Sequence, residues 1–285
     1  MLRGRLRPDF GQTADDYARH RAEVPSELYD RLARGFGIGN AGQRVLDVGT
    51  GTGAVARALA RRQCAATGLD PSAELLATAA RLAAAEALDV RFVQGVVEAT
   101  GLPAESFDVV TAAVCWHWFD AERAAAEIRR VLVPGGRLVI VHFNWLARRG
   151  NVVEATELLM RKHRAGGPGV ELAERIVKSA AARVRPAWFA TLGTGIHPES
   201  LSTLTSAGFE DLETFSFDAD IRYDHEGWRG RVRSHAWVGA TSTPHKVARF
   251  DEELAALLQT RFGDGPLSIP HRVFVVVARK PRART

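Results

Sequence analysis

The chain has 285 residues, of which 46% are hydrophobic and 25% are charged, as in ordinary globular proteins with a sizeable core. The net charge of +5 comes from the ends: residues 1–7 carry three arginines and residues 279–285 carry four basic side chains, so the rest sums to −2. A nucleic-acid partner is not expected, because the folded body would then need a basic face.

Targeting signals and cysteines limit the class of protein further. No apolar run approaches the roughly 18 residues of a membrane span, and the N-terminus lacks the apolar region of a signal peptide. Cys64 and Cys115 make no disulfide framework and do not have the spacing of a metal site. These features predict a cytoplasmic protein with reduced thiols, no membrane partner and no metal.

Short apolar runs alternate with helical patterns between residues 44 and 143. The predicted strands are 44–49, 65–70, 90–95, 107–114 and 137–143, and the predicted helices are 55–63, 72–87 and 121–132. Such alternation is typical of a parallel sheet with helices on both faces. An open doubly wound sheet is favoured over a barrel, because the repeating units are too few.

The alternation breaks after residue 143. Helices and Gly/Pro-rich turns are predicted over 144–197, followed by a helix at 200–209 and a strand at 213–223. Two further helical segments, 227–240 and 249–262, precede a β-branched closing strand at 271–280. We therefore expect two helical insertions, 144–197 and 225–265, that cap a substrate pocket within a single domain, 1–285.

The segment VLDVGTGTGAVARAL (45–59) places Gly49, Gly51 and Gly53 between a strand and a helix. Glycines allow a tight turn and let backbone N–H groups approach a ligand. The spacing fits G-x-G-x-G, and also a dinucleotide fingerprint that ends at Ala54. Asp70, at the end of the second strand, does not separate the two, because either ligand presents ribose hydroxyls.

Asp47 separates them, because it lies two residues before the loop. A carboxylate there would repel a pyrophosphate, whereas it suits a ligand that carries an ammonium and a sulfonium. This pattern indicates S-adenosylmethionine.

Four segments carry a resemblance to a known family. VLDVGTGTG, GLD, VQGVVEATGLPAESFDVVTAA and VLVPGG occur in the order and spacing of a class I S-adenosylmethionine-dependent methyltransferase, which this chain resembles over residues 10–143. FGQTADDYARHR (10–21) and the tryptophan-histidine stretch resemble the bacterial small-molecule branch, related to trans-aconitate methyltransferase-like proteins. The resemblance implies a Rossmann-like seven-stranded doubly wound α/β sheet, with the last strand antiparallel and helical cap insertions.

The resemblance also implies a cofactor-binding core at 10–143 and roles for single residues. The glycine loop would hold the methionine part, Asp70 would accept hydrogen bonds from the ribose hydroxyls, and the N-terminal arm would close over the cofactor. The implied cofactor-binding residues are Tyr17, Arg21, Asp47, Gly49, Thr50, Gly51, Gly53, Asp70, Pro71, Ser72, Val97, Glu98, Val114 and Trp116. The family often has glutamine where this chain has Val114.

The stretch VCWHWFD (114–120) combines several aromatic residues at the end of the fourth strand. Trp118 and Phe119 are expected to pack against the next helix, with Asp120 as its N-cap. Trp116 and His117 fall where open α/β sheets bind ligands, so His117 is the candidate catalytic base, with a structural histidine as the alternative. His142, His197 and His235 are further candidates for a base.

The insertions are expected to set substrate choice. They bring aromatic side chains to the cap: Trp145, Trp188, Phe189, Trp228 and Trp237. Arg229 and Arg233, one helical turn apart, are interpreted either as a contact for an acidic substrate or as a solvated helix face.

The sequence thus predicts an enzyme, a monomer or homodimer, that transfers a methyl group from S-adenosylmethionine to an O or N atom of an aromatic or carboxylate-bearing small molecule. The alternatives are a protein or cyclase that binds S-adenosylmethionine without methylating and a nicotinamide-dependent oxidoreductase.

Overall fold

A computed structural model describes residues 20, 22–164, 194–235, 238 and 243–282. These residues form one seven-stranded sheet in the order β3-β2-β1-β4-β5-β7-β6. The strands are β1 Arg44–Val48, β2 Ala65–Asp70, β3 Val90–Gln94, β4 Phe107–Ala113, β5 Leu132–Trp145, β6 Glu210–Tyr223 and β7 Leu267–Arg279.

The described helices largely follow the predicted pattern. They are α1 Ser26–Phe36, α2 Ala54–Arg61, α3 Ala73–Ala85, α4 Ala121–Val131, α5 Val152–Arg164, α6 Ser200–Ser206, α7 His225–Arg233 and α8 Pro244–Phe262. The first of these, α1, was not predicted. It buries Leu28, Tyr29 and Leu32, which share one face because they are three and four residues apart.

The first five strands run parallel, with β1 between β2 and β4 at the centre. The chain leaves β1 in opposite directions on its two sides, first to β2 and β3 and later to β4 and β5. A crevice forms at the carboxyl ends of the strands at such a point and is the usual ligand site of open α/β sheets. The sheet therefore places the ends of β1, β2 and β4 where a site is expected.

Hydrogen bonds show that β7 runs antiparallel to β5. The Lys280 N–H donates to the Gly136 carbonyl over 2.8 Å, and the Leu146 N–H donates to the Pro270 carbonyl over 2.7 Å. Residue numbers thus fall along β7 as they rise along β5. The predicted seven-stranded sheet with an antiparallel last strand is confirmed.

The start of β5 differs from the prediction. The strand was expected to begin after Pro134-Gly135-Gly136, but it begins at Leu132, directly after α4. Phe107 pairs with Leu132 and Val109 pairs with Arg137, so β5 advances by five positions where β4 advances by two. A bulge of this kind accommodates the proline and glycines within the strand.

The described residues fall into two compact units. The sheet unit comprises 23–144, 194–219 and 272–282, and its apolar core includes Leu46, Val110 and Ile140. The Trp228 unit comprises 20, 22, 145–164, 220–235, 238 and 243–271. Its core surrounds Trp228, which is fully buried and donates its Nε1–H to the Thr156 hydroxyl over 3.0 Å. The single domain with insertions at 144–197 and 225–265 stays a prediction.

Within the described ranges, no helix has both the length and the apolar character needed to cross a bilayer.

Candidate active site

The glycine loop joins β1 to α2, and its three glycines all have positive φ angles, 64° for Gly49, 56° for Gly51 and 77° for Gly53. Packing requires two of them as well. A Cβ on Gly49 would lie 2.9 Å from the Cβ and Sγ atoms of Cys115, and a Cβ on Gly53 would lie 3.0 Å from that of Ala79. The positive φ angles agree with the tight turn that the glycine pattern predicted. The loop also lies close against the turn after β4 and against α3.

Asp47 lies in β1 just before this loop and is only 2% exposed. Its carboxylate accepts hydrogen bonds from the hydroxyls of Thr50, over 2.6 Å, and Thr111, over 2.7 Å. Burial raises the pKa of Asp47 to about 6, the negative charge of Asp70 adds to that shift, and the two hydroxyl hydrogen bonds oppose it. At neutral pH, Asp47 is thus largely ionised within the protein.

Asp70 closes β2 and faces the glycine loop. It accepts hydrogen bonds from the Gly51 N–H over 2.9 Å and from the Ser72 N–H over 3.0 Å. Burial raises its pKa, against the effect of those two hydrogen bonds. The backbone holds the carboxylate in place, and each of its oxygens keeps a second lone pair for a ligand.

Pro71 and Ser72 lead from Asp70 into α3. The Ser72 hydroxyl caps this helix by accepting the Leu75 N–H over 3.2 Å, as the sequence predicted. Gln94, at the end of β3, donates its amide to the Pro71 carbonyl. The ends of β2 and β3 are thereby tied together beside Asp70.

Val97 and Glu98 follow β3. Val97 is buried in the apolar core, and Glu98 accepts the backbone N–H of Asp120 over 2.9 Å. Asp120 caps α4 by accepting the Arg123 N–H, so its predicted role is confirmed. Glu98 therefore links the segment after β3 to the start of α4.

The aromatic stretch after β4 is arranged differently from the prediction. Trp118 is 44% exposed, so its expected packing in the core is wrong, whereas Trp116 is 6% exposed and lies in the apolar core. Phe119 packs against that core as predicted, with its ring edge-on to Trp116 at 6.0 Å. The three residues Trp116–Trp118 form a 3₁₀ turn, which puts residues three apart on one side and turns Trp118 outwards.

His117 is exposed at this turn, with its ring 4.8 Å from that of Trp118. Its charge acts on two neighbours, because it contributes to lowering the pKa of the buried His142 and that of the exposed Glu199. His142 and His197 stack at 4.0 Å. Three of the four candidate histidines therefore come together in the sheet unit, while His235 stacks on Trp145 in the Trp228 unit.

The proposed cap residues divide into two groups. Trp228 is a core residue of its own unit, and Arg229 and Arg233 both bind Asp251 through their guanidinium groups. These ion pairs hold both arginines within the protein, an arrangement that neither interpretation, a contact for an acidic substrate or a solvated helix face, had predicted. Tyr17, Arg21, Trp188, Phe189 and Trp237 lie outside the described residues.

Four site residues were missed by sequence reasoning. Tyr29 on α1 lies near enough to Asp47 for the carboxylate charge to raise its pKa, although burial raises it more. Thr111, Asn144 and Glu199 contact Asp47 or His197. The apolar spacing of α1 could have identified Tyr29 as buried, whereas no local pattern marks the other three.

The residues present fit a ligand that carries positive charge and a ribose. Two buried carboxylates flank the loop, and among the residues that the structure describes no cationic side chain contributes to the pKa of either one. Nor do the described residues include three or more His, Cys, Asp or Glu side chains grouped so as to hold a metal ion.

Comparison with known proteins agrees with this geometry. Residues 46–140 match a protein family described as "Methyltransferase domain". An uncharacterized methyltransferase of Mycobacterium tuberculosis is 38% identical over 152 residues, which cover 53% of this chain and 59% of that protein. The demethylmenaquinone methyltransferase of Thermus thermophilus is 41% identical over 116 residues, which cover 40% of this chain and 53% of that protein. The match thus spans less than two thirds of either relative.

A solved structure extends the likeness along the chain. A candidate type II methyltransferase from Anaeromyxobacter dehalogenans superposes with a TM-score of 0.60 and 23% identity, covering 92% of this chain and 99% of that one. This likeness shows the fold. The narrower resemblance to trans-aconitate methyltransferase-like proteins stays a prediction.

Proposed function

Because residues 46–140 are a methyltransferase domain with the class I fold, whose methyl donor is S-adenosylmethionine, we propose that this chain transfers a methyl group to an oxygen or nitrogen atom of a small molecule. One observation carries the proposal. Asp47 and Asp70 are both buried beside the glycine loop, and neither is neutralised by a described cation.

The charge of this pair decides between the two ligands that the loop pattern allows. Asp70 already raises the pKa of Asp47 by repulsion, so a pyrophosphate would add more negative charge to a buried, repulsive site. A ligand with an ammonium and a sulfonium would instead stabilise both ionised carboxylates. The electrostatics therefore support S-adenosylmethionine over a nicotinamide dinucleotide.

The chain's residues are assigned the following roles. Asp70 would accept hydrogen bonds from the ribose hydroxyls, while Gly49 to Gly53 and Asp47 would hold the amino-acid part. The bound cofactor supplies an electrophilic methyl group on a sulfonium. Positioning of the acceptor against it can contribute about 7–11 kcal/mol. A general base, for which His117 and His142 are both candidates, would add about 3–5 kcal/mol.

The proposal extends to the acceptor and the setting. The aromatic side chains expected in the insertions favour an aromatic small molecule. Arg229 and Arg233 already bind Asp251, so they give no support to a carboxylate-bearing acceptor. A cytoplasmic monomer or homodimer without a nucleic-acid partner completes the proposal.

Calorimetric titration with S-adenosylmethionine tests the cofactor assignment. Asp70→Asn should weaken binding by about 10- to 100-fold, because a charge-assisted hydrogen bond contributes roughly 1.5–3 kcal/mol. Asp108→Asn is the matched control. Asp108 binds Arg44 at the start of β1, the opposite end of the strand from the loop, so its substitution should leave binding unchanged. Equal affinity of Asp70→Asn and the parent would refute the site.

A second titration and a transfer assay separate the alternative functions. Binding of NAD(P)H in place of S-adenosylmethionine would favour an oxidoreductase. Incubation of a metabolite extract with methyl-labelled S-adenosylmethionine should give a labelled product. Tight binding without any labelled product would favour the non-methylating protein or cyclase.

A further inference from the structure

Two histidines form a buried stack beside the end of β4. His142 on β5 is 5% exposed and His197, which precedes α6, is 3% exposed. Their rings lie 4.0 Å apart with only 8° between their planes. Two imidazoles in such contact do not readily carry charge together, because like charges repel strongly away from water.

Both ring nitrogens of His197 are occupied. The Asn144 amide donates to Nε2 over 2.7 Å, and Nδ1 lies 3.4 Å from Oε1 of Glu199. With Nε2 accepting, the ring proton sits on Nδ1 and is donated to the carboxylate. His197 is therefore a positioning residue that holds the stack and has no nitrogen left for a ligand.

His142 differs from His197 in its hydrogen bonding. Its Nε2 is buried and has no hydrogen-bond partner among the described residues. Buried polar atoms without a partner are rare and costly in folded proteins, and each one calls for an explanation such as a ligand. The atom thus keeps a hydrogen-bonding capacity that the described part of the protein does not use.

The charge state of His142 follows from its surroundings. Burial lowers its pKa well below the usual value, and a positive charge on His197 or His117 lowers it further. Glu199 faces the same stack. Burial has the largest single effect on its pKa and raises it, but the hydrogen bonds from His197 and the backbone, together with the charges of His197 and His117, lower the pKa overall. At neutral pH the stack therefore presents a neutral imidazole beside an ionised carboxylate.

The position of His142 connects it to the cofactor loop. Val141 pairs with Ala113, the last residue of β4, and its carbonyl accepts the Val114 N–H over 2.7 Å. The next residue, Cys115, donates its thiol to the Val48 carbonyl just before the glycine loop. His142 thus lies at the carboxyl edge of the sheet, and β4 lies between its strand and β1, the strand that leads into that loop.

We propose that Nε2 of His142 accepts a hydrogen bond from an uncharged hydroxyl group of the methyl acceptor, so that the reaction is an O-methylation. This inference rests on the proposed function. A carboxylate acceptor is disfavoured, because the neutral imidazole offers it no positive charge and Glu199 repels it. An ammonium is disfavoured, because His142 is too weak a base to remove its proton before the nitrogen attacks.

A weakly basic imidazole suits a hydroxyl for a chemical reason. The hydroxyl oxygen uses a lone pair to form the bond to the methyl carbon and displaces the sulfur together with the electrons of the carbon–sulfur bond. An oxygen that gains a methyl group becomes strongly acidic, so its proton passes to Nε2 of His142. The resulting imidazolium then loses the proton to water.

The acceptor atom can be read from the product. A metabolite extract incubated with the enzyme and ¹³C-methyl S-adenosylmethionine should give a methyl ether, which carbon–proton correlation NMR distinguishes from a methyl ester and from an N-methyl group. An ester or N-methyl product overturns the hydroxyl assignment and leaves the proposed function intact. Absence of any labelled product overturns the proposed function, and the hydroxyl assignment fails with it.

Substitution of the two histidines tests the role of Nε2 without relying on activity alone. His142→Phe keeps a stacked ring but lacks the nitrogen, so turnover per KM of the identified acceptor should fall at least about tenfold. Its melting temperature should be unchanged or higher, because no protein hydrogen bond is lost, and its affinity for S-adenosylmethionine should stay within twofold. The matched variant His197→Phe loses two hydrogen bonds and should melt at a lower temperature. A large loss of melting temperature in His142→Phe, or full turnover, would contradict the inference.

Discussion

Asp47 in the sheet unit and Asp251 in the Trp228 unit are both shielded from solvent, yet their surroundings move the carboxyl pKa in opposite directions. Burial raises the pKa of Asp47 to about 6, and the hydrogen bonds that oppose this shift come from uncharged groups, the hydroxyls of Thr50 and Thr111 and the backbone of Ala56. Burial also acts on Asp251, but hydrogen bonds and charges from Arg229 and Arg233 outweigh it and lower the pKa. Among the described residues, Asp251 is paired with two arginines, whereas Asp47 is paired with no cation.

The difference separates a stabilising arrangement from a binding arrangement. An ionised carboxylate that folding leaves without a cation reduces the stability of the protein, so stability does not explain Asp47. Strongly shifted groups of this kind are concentrated at functional sites. Asp251 connects α7 and α8 through two arginines, as expected of a structural ion pair.

The largest expected effect comes from replacing Asp47 with asparagine. Because its pKa is raised above the unfolded value of 3.8, the folded state is favoured at low pH and loses stability as the pH rises through about 6. The loss reaches about 3 kcal/mol at pH 7.5, by 1.36 kcal/mol per unit. Asp47→Asn should therefore increase the free energy of unfolding by up to about 3 kcal/mol at pH 7.5 and by little at pH 4, as measured by urea denaturation.

The matched control for Asp47 is Thr111→Val, which keeps the shape of the side chain but removes one hydroxyl donor. It should lower stability at pH 7.5, because the remaining carboxylate is less well solvated. A decrease in stability for both variants at pH 7.5 would mean that Asp47 is stabilised by its surroundings, as Asp251 is.

Asp251→Asn should lower the free energy of unfolding, in contrast to Asp47→Asn, and by a smaller amount. Its pKa is lowered, so its contribution to stability is present above the unfolded value of 3.8 and is lost as the pH falls towards the folded value. We expect a loss of about 2 kcal/mol at pH 7.5, since two half-buried arginines lose a charged partner. The exposed pair Glu27–Arg31 is the control, and Glu27→Gln should cost no more than about 0.5 kcal/mol. Equal losses in the two variants would remove the contrast between the units.

Local sequence patterns predicted the parts of this comparison that depend on neighbouring residues. Strand alternation located β1 to β4, and the caps Ser72 and Asp120 were identified because a capping side chain bonds within the next three residues. The sequence also shows that an acidic residue, Asp47, precedes the glycine loop. Its hydroxyl partner Thr111 was not, because the two residues are 64 positions apart and meet through strand pairing.

Tertiary packing decided the features that were predicted wrongly or missed. Trp116 and Trp118 look alike in sequence, and only the direction of a 3₁₀ turn decides which one is buried. His142 and His197 were both candidate bases, but their stacking joins β5 to a segment 55 residues later. The start of β5 depends on a bulge against β4 that no local propensity determines.

The smallest expected effect concerns the backbone. Positive φ angles at non-glycine residues, like the carboxylate without a cation, occur in the sheet unit. Five described non-glycine residues have positive φ angles, all in the sheet unit, and Val114 with φ 57° is the β-branched one among them. This conformation strains a β-branched residue by about 1–3 kcal/mol. Val114→Gly should relieve the strain, but the loss of the half-buried side chain and the greater freedom of glycine in the unfolded chain offset most of this gain, so the free energy of unfolding should change by less than about 1 kcal/mol. It should also weaken S-adenosylmethionine binding, because the turn against the glycine loop becomes less rigid.

Ala87→Gly, at φ 52° after α3, should increase stability without changing that affinity. If the Val114→Gly and Ala87→Gly variants bind S-adenosylmethionine equally tightly, the strained backbone at Val114 does not contribute to cofactor binding.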